Sequence, residues 1–293
     1  MPREILAKSI LNKHKKRDSW FLDDYSIKPY MGCSVNCLYC YIRGSKYGVD
    51  MRVAVKTNAP EVLEKQLARR AEKSEYGIIA VASATDAYMP IEAERQLTRQ
   101  SLQIILRYRF PVHVISKSSL ILRDLDLLRT IDEQAILPQD LQAQFSRGAI
   151  IATSISTLDA ELAQRFEPGA PPPQQRLETL ARCKDAGLFC GVHFIPTLPF
   201  FSDSDAHLRD MTSAAKAHGA DFVLVGSLTL FGHEPADSKL LYFNMLKRYY
   251  PELLPQYQAR YASSTGPSFA IQRQLEKRAR AICGQLDMKY GIL

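Results

Sequence analysis

The 293-residue sequence contains no run of 18 apolar residues, so it offers no membrane-spanning helix. Its first 20 residues hold no apolar stretch long enough for a secretory signal, and we therefore expect a cytoplasmic protein. No Gly-x-Gly-x-x-Gly motif follows the first predicted strand, so a dinucleotide site is not indicated. Internal repeats and low-complexity segments are also missing. These absences leave an ordinary globular chain, long enough for one large α/β domain.

Acidic residues are scarce at both ends of the chain. Residues 1–20 contain six Lys or Arg and two acidic residues, and residues 239–293 contain nine and three. The intervening residues 21–238 are slightly acidic, with 23 basic and 26 acidic side chains. Basic ends suit a polyanion, so we expect DNA or RNA to bind through them, and a solvated basic helix face is the alternative.

Apolar runs rich in β-branched residues alternate with helical patterns through the middle of the chain. Buried strands are predicted at about 26–31, 77–85, 112–118, 149–157, 188–199 and 221–231. Helices are predicted at 59–73, 91–108, 176–187 and 205–220. This alternation indicates a parallel sheet of six β/α units, either an incomplete barrel or an open, doubly wound sheet.

Cysteine is sparse, yet three of the six cysteines lie within eight residues, in the stretch PYMGCSVNCLYCY. A disulfide is disfavoured by the expected compartment and by the odd number. A structural zinc site requires four closed ligands, and no Cys or His closely follows Cys40 to complete a set with Cys33 and Cys37. An iron–sulfur cluster fits better, because three thiolates leave one iron of a four-iron cluster open to a small molecule.

The spacing Cys33-x3-Cys37-x2-Cys40, on the loop after the first strand of a β/α fold, resembles the signature of the radical S-adenosylmethionine superfamily. The resemblance implies a [4Fe-4S] cluster, S-adenosyl-L-methionine at its open iron, and an external one-electron reductant of the flavodoxin or ferredoxin type. The electron splits the cofactor to give a 5′-deoxyadenosyl radical, which abstracts hydrogen.

The same resemblance decides the expected domain organisation. We expect an α/β fold in which residues 23–232 form a partial (β/α)6 TIM-like barrel of parallel strands. Residues 1–22 are expected to be a basic N-terminal segment, and residues 233–293 a basic, helical C-terminal extension without strands. The tyrosines of this extension would be free to stack on nucleic-acid bases.

Longer stretches, among them SATDAYMPIEAERQLTR and VISKSSLILRDLDLL, are similar to the spore-photoproduct-lyase-like group of the superfamily. This similarity implies that Tyr39 lies next to the adenine of the cofactor and that Thr85 helps to hold its amino group. It also implies that Lys117 lies near the cofactor and Ser154 on its carboxylate or ribose side. The three polar residues are at or near the carboxyl ends of predicted parallel strands, where a cofactor above the sheet would bind.

One position departs from the pattern of that group. The repair lyase has a cysteine three residues before the aspartate of its second-strand loop, and this thiol returns a hydrogen atom to the repaired thymine. Aligned on Asp86, the residue here is Ser83, whose O–H bond is too strong for that task. Either Tyr39 or Tyr41 relays the hydrogen as a catalytic residue, or the substrate is not spore photoproduct, and we favour the second explanation.

The substrate therefore stays open between a nucleic-acid base, as in DNA repair, and a small molecule or peptide. A non-catalytic iron–sulfur protein for electron transfer and a zinc-binding interaction module are the alternatives from other classes. Cleavage of S-adenosylmethionine separates these classes, since only the radical enzyme carries it out.

Overall fold

The computed structural model describes residues 2–46, 51–82, 84–262, 265–266 and 268–293. Its strands are β1 (Arg3–Ile5), β2 (Leu11–Lys13), β3 (Tyr25–Ile27), β4 (Tyr30–Met31), β5 (Ala54–Lys56), β6 (Ile79–Val81), β7 (Val112–Ile115), β8 (Ala149–Ser154), β9 (Phe189–Thr197), β10 (Phe222–Ser227) and β11 (Lys289–Tyr290). Its helices are α1 (Ala59–Glu72), α2 (Glu92–Arg95), α3 (Leu97–Arg107), α4 (Leu125–Gln134), α5 (Ala160–Phe166), α6 (Pro173–Asp185), α7 (Asp205–Ala217), α8 (Ser238–Tyr249), α9 (Leu254–Arg260) and α10 (Phe269–Gln285), with a 3-10 helix at Ser119–Asp124.

A sheet of eight strands carries the fold, in the order β11-β10-β9-β8-β7-β6-β3-β2. Its strands are parallel from β3 to β11, and β2 pairs antiparallel with β3 at one edge. A smaller sheet has the order β1-β5-β4. The predicted parallel sheet of a mixed α/β protein is therefore confirmed. Its strands are shorter than the apolar runs in the sequence, because the last residues of each run leave the sheet as loops at its carboxyl edge.

Helices cover one face of the large sheet. In α1 the buried residues Ala59, Leu63 and Leu67 recur at every fourth position, so one stripe of this helix faces the core. Val223 and Val225, at alternate positions of β10, belong to the same apolar cluster. Since successive strand residues point to opposite faces, the residues between them point away from these helices.

The opposite face is packed partly by the N-terminal segment. Phe222 and Leu224 of β10 form an apolar cluster with Leu22, and Trp20 and Phe21 pack against it. The segment also contributes β1 to the small sheet and β2 to an edge of the large one. Part of the expected basic N-terminal segment, residues 1–22, thus packs on the face of the sheet opposite these helices.

Three predictions about elements are wrong. The strand predicted at about 26–31 is two short strands, β3 and β4, which belong to different sheets. The helix predicted at 91–108 is two helices, because Gln96 adopts a left-handed backbone with φ of +52° between α2 and α3. The Glu92 carboxylate starts the second helix by accepting the backbone N–H groups of Thr98 (2.9 Å) and Arg99 (3.2 Å). The extension after residue 233 also contains a strand, β11, which pairs in parallel with β10. Within the described residues, no helix has the length and apolar character to cross a membrane.

Candidate active site

The three clustered cysteines lie on one loop, residues 32–43, which we call the cysteine loop. It begins at Gly32, where φ is +69° and an ideal Cβ would lie 2.4 Å from a facing backbone carbonyl oxygen, so only glycine fits. A turn follows in which the Cys40 N–H donates to the Cys37 carbonyl oxygen (3.3 Å). The Arg43 guanidinium donates to the same oxygen (3.3 Å), which closes the loop on itself.

The cysteine loop lies over a cavity of about 230 Å3 at the carboxyl edge of the large sheet. Its lining includes every residue that the sequence assigns to the site, namely Cys33, Cys37, Tyr39, Cys40, Tyr41, Thr85, Lys117 and Ser154. Phe21, His193, Ser227 and Thr229 also line it. The fold therefore brings together eight residues that are spread over more than 100 positions of the chain.

Lys117 and Ser154 come from neighbouring strands and contact each other in the cavity wall. The Lys117 ammonium donates to Ser154 Oγ (2.9 Å), which in turn donates to the Ile195 carbonyl oxygen (3.1 Å). Thr85 differs, because its Oγ1 is buried and has no hydrogen-bond partner. Leaving a buried hydroxyl unpaired costs about 1–3 kcal/mol, which a bound ligand would offset.

Asp86 fixes the backbone beside these residues. Its carboxylate accepts hydrogen bonds from Ser116 Oγ (2.6 Å), the Lys117 N–H (2.8 Å) and the Tyr88 N–H (2.9 Å). It thus joins the loops that follow β6 and β7, two neighbouring strands. The sequence alone indicated only that Asp86 follows a strand, because the partners from the next strand become visible only in the folded chain.

The electrostatics of the cavity disfavour free thiolates. Burial raises the pKa of the Cys33, Cys37 and Cys40 thiols, to about 12 for Cys37. The Lys117 ammonium opposes this rise at Cys37, and the Glu167 carboxylate adds to it. Thiolates at these positions therefore require a metal, since coordination to a metal deprotonates a thiol outright.

The two tyrosines of the cysteine loop have different surroundings. Tyr39 is 7% exposed, and its hydroxyl donates a hydrogen bond to Glu167 Oε1. Burial, together with the charge of Glu167, raises the pKa of Tyr39. Tyr41, by contrast, is 41% exposed while still lining the cavity.

Glu167 and Arg176 were not singled out from the sequence, and they form a buried ion pair next to the cysteine loop. The Glu167 carboxylate contacts the Arg176 guanidinium, and the two side chains are 0% and 1% exposed. Ser156 Oγ also donates to Glu167 Oε1 (2.9 Å). Glu167 is the first residue of the Pro-rich segment EPGAPPPQQ and is fully buried.

A second buried carboxylate binds a tyrosine that precedes the cysteines. The Tyr30 hydroxyl donates to Glu92 Oε2, and the Arg123 guanidinium donates to Glu92 Oε1 (2.6 Å). Arg123 also pairs with Asp124, which is 0% exposed and contacts Arg99 as well. This network lies beneath the start of the cysteine loop.

Two histidines lie deeper along the strands. His113 Nδ1 is 2.9 Å from the Phe21 carbonyl oxygen, so this nitrogen carries the proton, and the rings of His113 and His193 meet edge to face at 5.4 Å. Burial lowers the pKa of His113 to about 4 and that of His193 well below its usual value, so both are neutral near pH 7. The buried Nε2 of His193 has no hydrogen-bond partner.

The possible hydrogen donors fall into two groups. Ser83, which replaces the cysteine of the lyase-like group, lies outside the described residues. Cys183, Cys190 and Cys283 are buried in the helix-side core. Among the described residues that line the cavity, the thiols are therefore those of the cysteine loop.

The tyrosines of the C-terminal extension are mostly unavailable for stacking on bases, which corrects that expectation. Tyr242, Tyr257 and Tyr261 are at most 1% exposed and pack in one apolar cluster with Tyr39. The Tyr242 and Tyr257 hydroxyls bond each other (2.9 Å), because helices α8 and α9 turn these rings inward. Tyr249 remains 43% exposed, with the Arg165 guanidinium 4.7 Å from its ring centroid.

The residues present fit an iron–sulfur cluster with a small-molecule ligand. Three soft sulfur donors line one cavity, and an unpaired hydroxyl and a lysine ammonium lie in the same wall. Within the described part of the chain, no three His, Cys, Asp or Glu side chains converge closely enough to hold a single metal ion. A four-iron cluster spans several ångströms, so its cysteines need not converge on one point as the ligands of a single ion do.

The fold and this site define an α/β protein with a three-cysteine loop at the carboxyl edge of a parallel sheet. The chain belongs to the radical SAM superfamily, whose family model matches residues 27–211. Members of this superfamily use a [4Fe-4S] cluster and S-adenosylmethionine, and these are the cofactors of this chain.

Relatives extend over much of the sequence. An uncharacterized protein of Mycobacterium tuberculosis is 30% identical over 266 residues, which cover 88% of this chain and 73% of that protein. An uncharacterized protein of Methanocaldococcus jannaschii is 29% identical over 184 residues, covering 61% of this chain and 62% of that one.

Solved structures share the fold at low sequence identity. A spore photoproduct lyase complexed with dinucleoside spore photoproduct has a TM-score of 0.66 at 15% identity, covering 98% of this chain and 80% of that one. A variant of that lyase with bound S-adenosylmethionine and the same dinucleoside has a TM-score of 0.65 at 17% identity, covering 94% and 78%. The Streptococcus suis protein SuiB bound to its precursor peptide SuiA has a TM-score of 0.53 at 12% identity, covering 90% and 47%. At these identities the likeness establishes the fold alone.

Proposed function

We propose that this chain is a radical SAM enzyme that cleaves S-adenosylmethionine reductively and acts on a nucleic-acid base, as a lyase or a base-modifying enzyme. The observation that carries the proposal is the single cavity lined by Cys33, Cys37 and Cys40 together with Lys117 and Ser154. When bound, the cluster and S-adenosylmethionine supply an electron and a 5′-deoxyadenosyl radical for hydrogen abstraction. We further propose that the sheet curves as a partial (β/α)6 barrel around this cavity, which the consecutive parallel order of β3 and β6 to β10 supports.

The residues of the cavity wall would hold and orient the cofactor. Cys33, Cys37 and Cys40 would hold three irons, and the fourth would stay open. The Lys117 ammonium, kept in place by its bond to Ser154 Oγ, would attract the cofactor carboxylate. Thr85, whose Oγ1 has no partner, would accept a hydrogen bond from the cofactor amino group.

The two tyrosines would take different roles. Tyr39 already donates its hydroxyl hydrogen to Glu167, so it would serve as a fixed apolar wall beside the adenine. Tyr41 is more exposed and lines the cavity, so it is the better candidate for a hydrogen relay. With Ser83 in place of the cysteine of the lyase, we propose a substrate other than spore photoproduct.

A nucleic-acid partner is supported by charge and by exposed pairs of arginine with an aromatic ring. The net charge is +7, and the basic residues are concentrated at the two ends. Arg165 lies 4.7 Å from the Tyr249 ring centroid, and Arg260 lies 4.7 Å from that of Phe200. Tyr249 and Phe200 are 43% and 40% exposed, and such pairs can stack on bases and bind phosphates.

The decisive test is cleavage of S-adenosylmethionine. The chain would be reconstituted with iron and sulfide without oxygen, reduced by an external one-electron donor such as a flavodoxin or ferredoxin, and given S-adenosylmethionine. The product 5′-deoxyadenosine would be measured beside Cys37→Ala, with and without UV-damaged DNA. We expect product from the wild-type chain and none from Cys37→Ala.

Each outcome separates the candidate functions. An increase with damaged DNA supports action on a base, and no increase directs the search to RNA, peptides or small molecules. A bound cluster without 5′-deoxyadenosine under any condition supports a non-catalytic electron-transfer protein. A chain that binds no iron would overturn the proposal.

A further inference from the structure

The Glu167 carboxylate occupies a fully buried position beneath the cysteine loop. It accepts hydrogen bonds from the Tyr39 hydroxyl and from Ser156 Oγ (2.9 Å), and it pairs with the Arg176 guanidinium. Arg176 continues the contacts by donating to the carbonyl oxygens of Pro171 (2.7 Å) and Ser154 (3.0 Å). One ion pair therefore connects Tyr39 of the cysteine loop to Ser154 of the cavity wall.

Backbone contacts hold the same two loops together. The Leu38 N–H donates to the Phe166 carbonyl oxygen (2.9 Å), and the Gly169 N–H donates to the Val35 carbonyl oxygen (3.0 Å). The approach is so close that a Cβ at Gly169 would lie 2.4 Å from the Ser34 carbonyl oxygen. The cysteine loop thus rests on the segment that begins with Glu167, so its position depends on that segment.

Glu167 remains charged despite its burial. Burial alone would raise its pKa, but the ammonium of Lys117 and the guanidinium of Arg176 together lower the pKa below its usual value. Its carboxylate lies beside the metal site, because it accepts a hydrogen bond from Tyr39, which stands between Cys37 and Cys40. Reduction adds negative charge to a cluster, and nearby fixed charges are among the factors that set cluster potentials.

We propose that Glu167, held in place by Arg176, is a positioning residue that fixes the cysteine loop and keeps the reduction potential of the cluster low. This inference rests on the proposed function, since it requires a cluster on the three cysteines. A low potential makes the reduced cluster a stronger electron donor to S-adenosylmethionine. A charge in the protein, separate from the iron ligands, would thus tune the difficult electron transfer.

The test compares midpoint potentials of anaerobically reconstituted full-length variants, measured by redox titration followed with electron paramagnetic resonance. Glu167→Gln keeps an acceptor for Tyr39 and removes the negative charge, so its potential is expected to become more positive. Arg176→Gln removes the positive partner, so its potential is expected to become more negative. Glu161→Gln, on the exposed surface of α5, is the matched control and should keep the wild-type potential.

Opposite shifts distinguish electrostatic tuning from general damage, which would change both variants in the same way. Iron content and the change of the spectrum on adding S-adenosylmethionine are recorded for every variant. Should Glu167→Gln lose iron, the double variant Glu167→Gln/Arg176→Met removes the stranded buried cation. Recovery of iron by the double variant would assign the loss to the unpaired cation and would overturn the role of Glu167 in fixing the cysteine loop. Failure to recover iron supports that role, because the loop then lacks both the carboxylate and its arginine.

Failure of this inference differs from failure of the proposed function. The proposed function would be contradicted if the wild-type chain bound no cluster. It would also be contradicted if adding S-adenosylmethionine left the spectrum of the cluster unchanged. A wild-type cluster that responds to S-adenosylmethionine, combined with equal potentials in Glu167→Gln, Arg176→Gln and Glu161→Gln, would overturn only the role of Glu167.

Discussion

The two sides of the cysteine loop are each held by a tyrosine, a buried glutamate and an arginine, yet the two groups have different surroundings. Before the cysteines, Tyr30 binds Glu92, and Arg123 pairs with this glutamate. Between the second and third cysteines, Tyr39 binds Glu167, which pairs with Arg176. Both carboxylates are 0% exposed, so neither would be stable as an isolated charge.

The difference lies in the remaining contacts of each glutamate. Glu92 also accepts two backbone N–H groups at the start of α3, and its arginine belongs to a wider network with Asp124 and Arg99. Glu167 does not accept backbone N–H groups at the start of a helix in this way. Its negative charge contributes to the raised pKa of the Cys37 thiol. The same three side-chain types thus build a structural anchor on one side and an electrostatic one on the other.

Replacing either arginine should have the largest effect on the free energy of unfolding. Arg176→Met strands Glu167 without its guanidinium, and breaking a fully buried pair costs about 3–5 kcal/mol. Arg123→Met should cost less, because Arg123 is 23% exposed and Glu92 keeps two backbone N–H groups. Urea unfolding of the metal-free chains at pH 7 measures both. Equal losses would contradict the distinction between the two groups.

The free energy of unfolding should also depend on pH, because the folded chain buries a neutral histidine, His113. The pKa of His113 is lowered to about 4 in the folded chain, so the unfolded chain binds the proton first as the pH falls. We expect the free energy of unfolding to decrease by about 3 kcal/mol between pH 6.5 and pH 4 from this group alone. Unfolding curves across this range measure the slope. An equally steep slope in His113→Leu would assign the loss to other groups.

Removing the tyrosine hydroxyls should have a smaller effect on stability. Tyr30→Phe and Tyr39→Phe each delete a hydrogen bond to a carboxylate, at a cost of about 1.5–3 kcal/mol. Tyr30→Phe also removes the acceptor of the Leu97 N–H (3.3 Å). Only Tyr39→Phe should alter the electron paramagnetic resonance spectrum of the cluster with S-adenosylmethionine, because Tyr39 lines the cavity. A changed spectrum in Tyr30→Phe would mean that both tyrosines reach the cofactor.

The smallest effect is expected at the surface of α5. Glu161 pairs with Arg165 one helical turn away, and its side chain is 77% exposed. Glu161→Gln should change the free energy of unfolding by less than about 0.5 kcal/mol, because exposed ion pairs contribute little. A loss comparable to that of Glu167→Gln would show that charge at the surface, rather than burial, controls this region.

Much of the site was predictable because its chemistry is local in sequence. Cys33, Cys37 and Cys40 carry their spacing with them, and Lys117 and Ser154 follow apolar runs whose ends must meet at one edge of a parallel sheet. The parallel pairing of the central strands was predictable from the alternating pattern, and their consecutive order followed from the resemblance to the superfamily. Strand runs separated by helical patterns leave few arrangements for a right-handed α/β chain.

Other features depend on contacts between distant residues. Glu167 and Arg176 have no motif, and their importance appears only when the segment after α5 packs under the cysteine loop. The tyrosines of the extension gave a misleading signal, because exposure and burial of an aromatic residue look alike in a sequence. The return of β11 to the sheet was also hidden, since two residues carry too little periodicity to indicate a strand.

Part of the cavity lining comes from outside the region that matches the superfamily. Phe21, Ser227 and Thr229 line the cavity but lie outside residues 27–211, the part that matches the superfamily. The cysteines and the residues proposed to hold the cofactor all lie inside that part. One cavity is thus lined both by the stretch that matches the superfamily and by residues before and after it. On the proposed function, changes at Phe21, Ser227 or Thr229 would alter the cavity wall while the three cysteines stay in place.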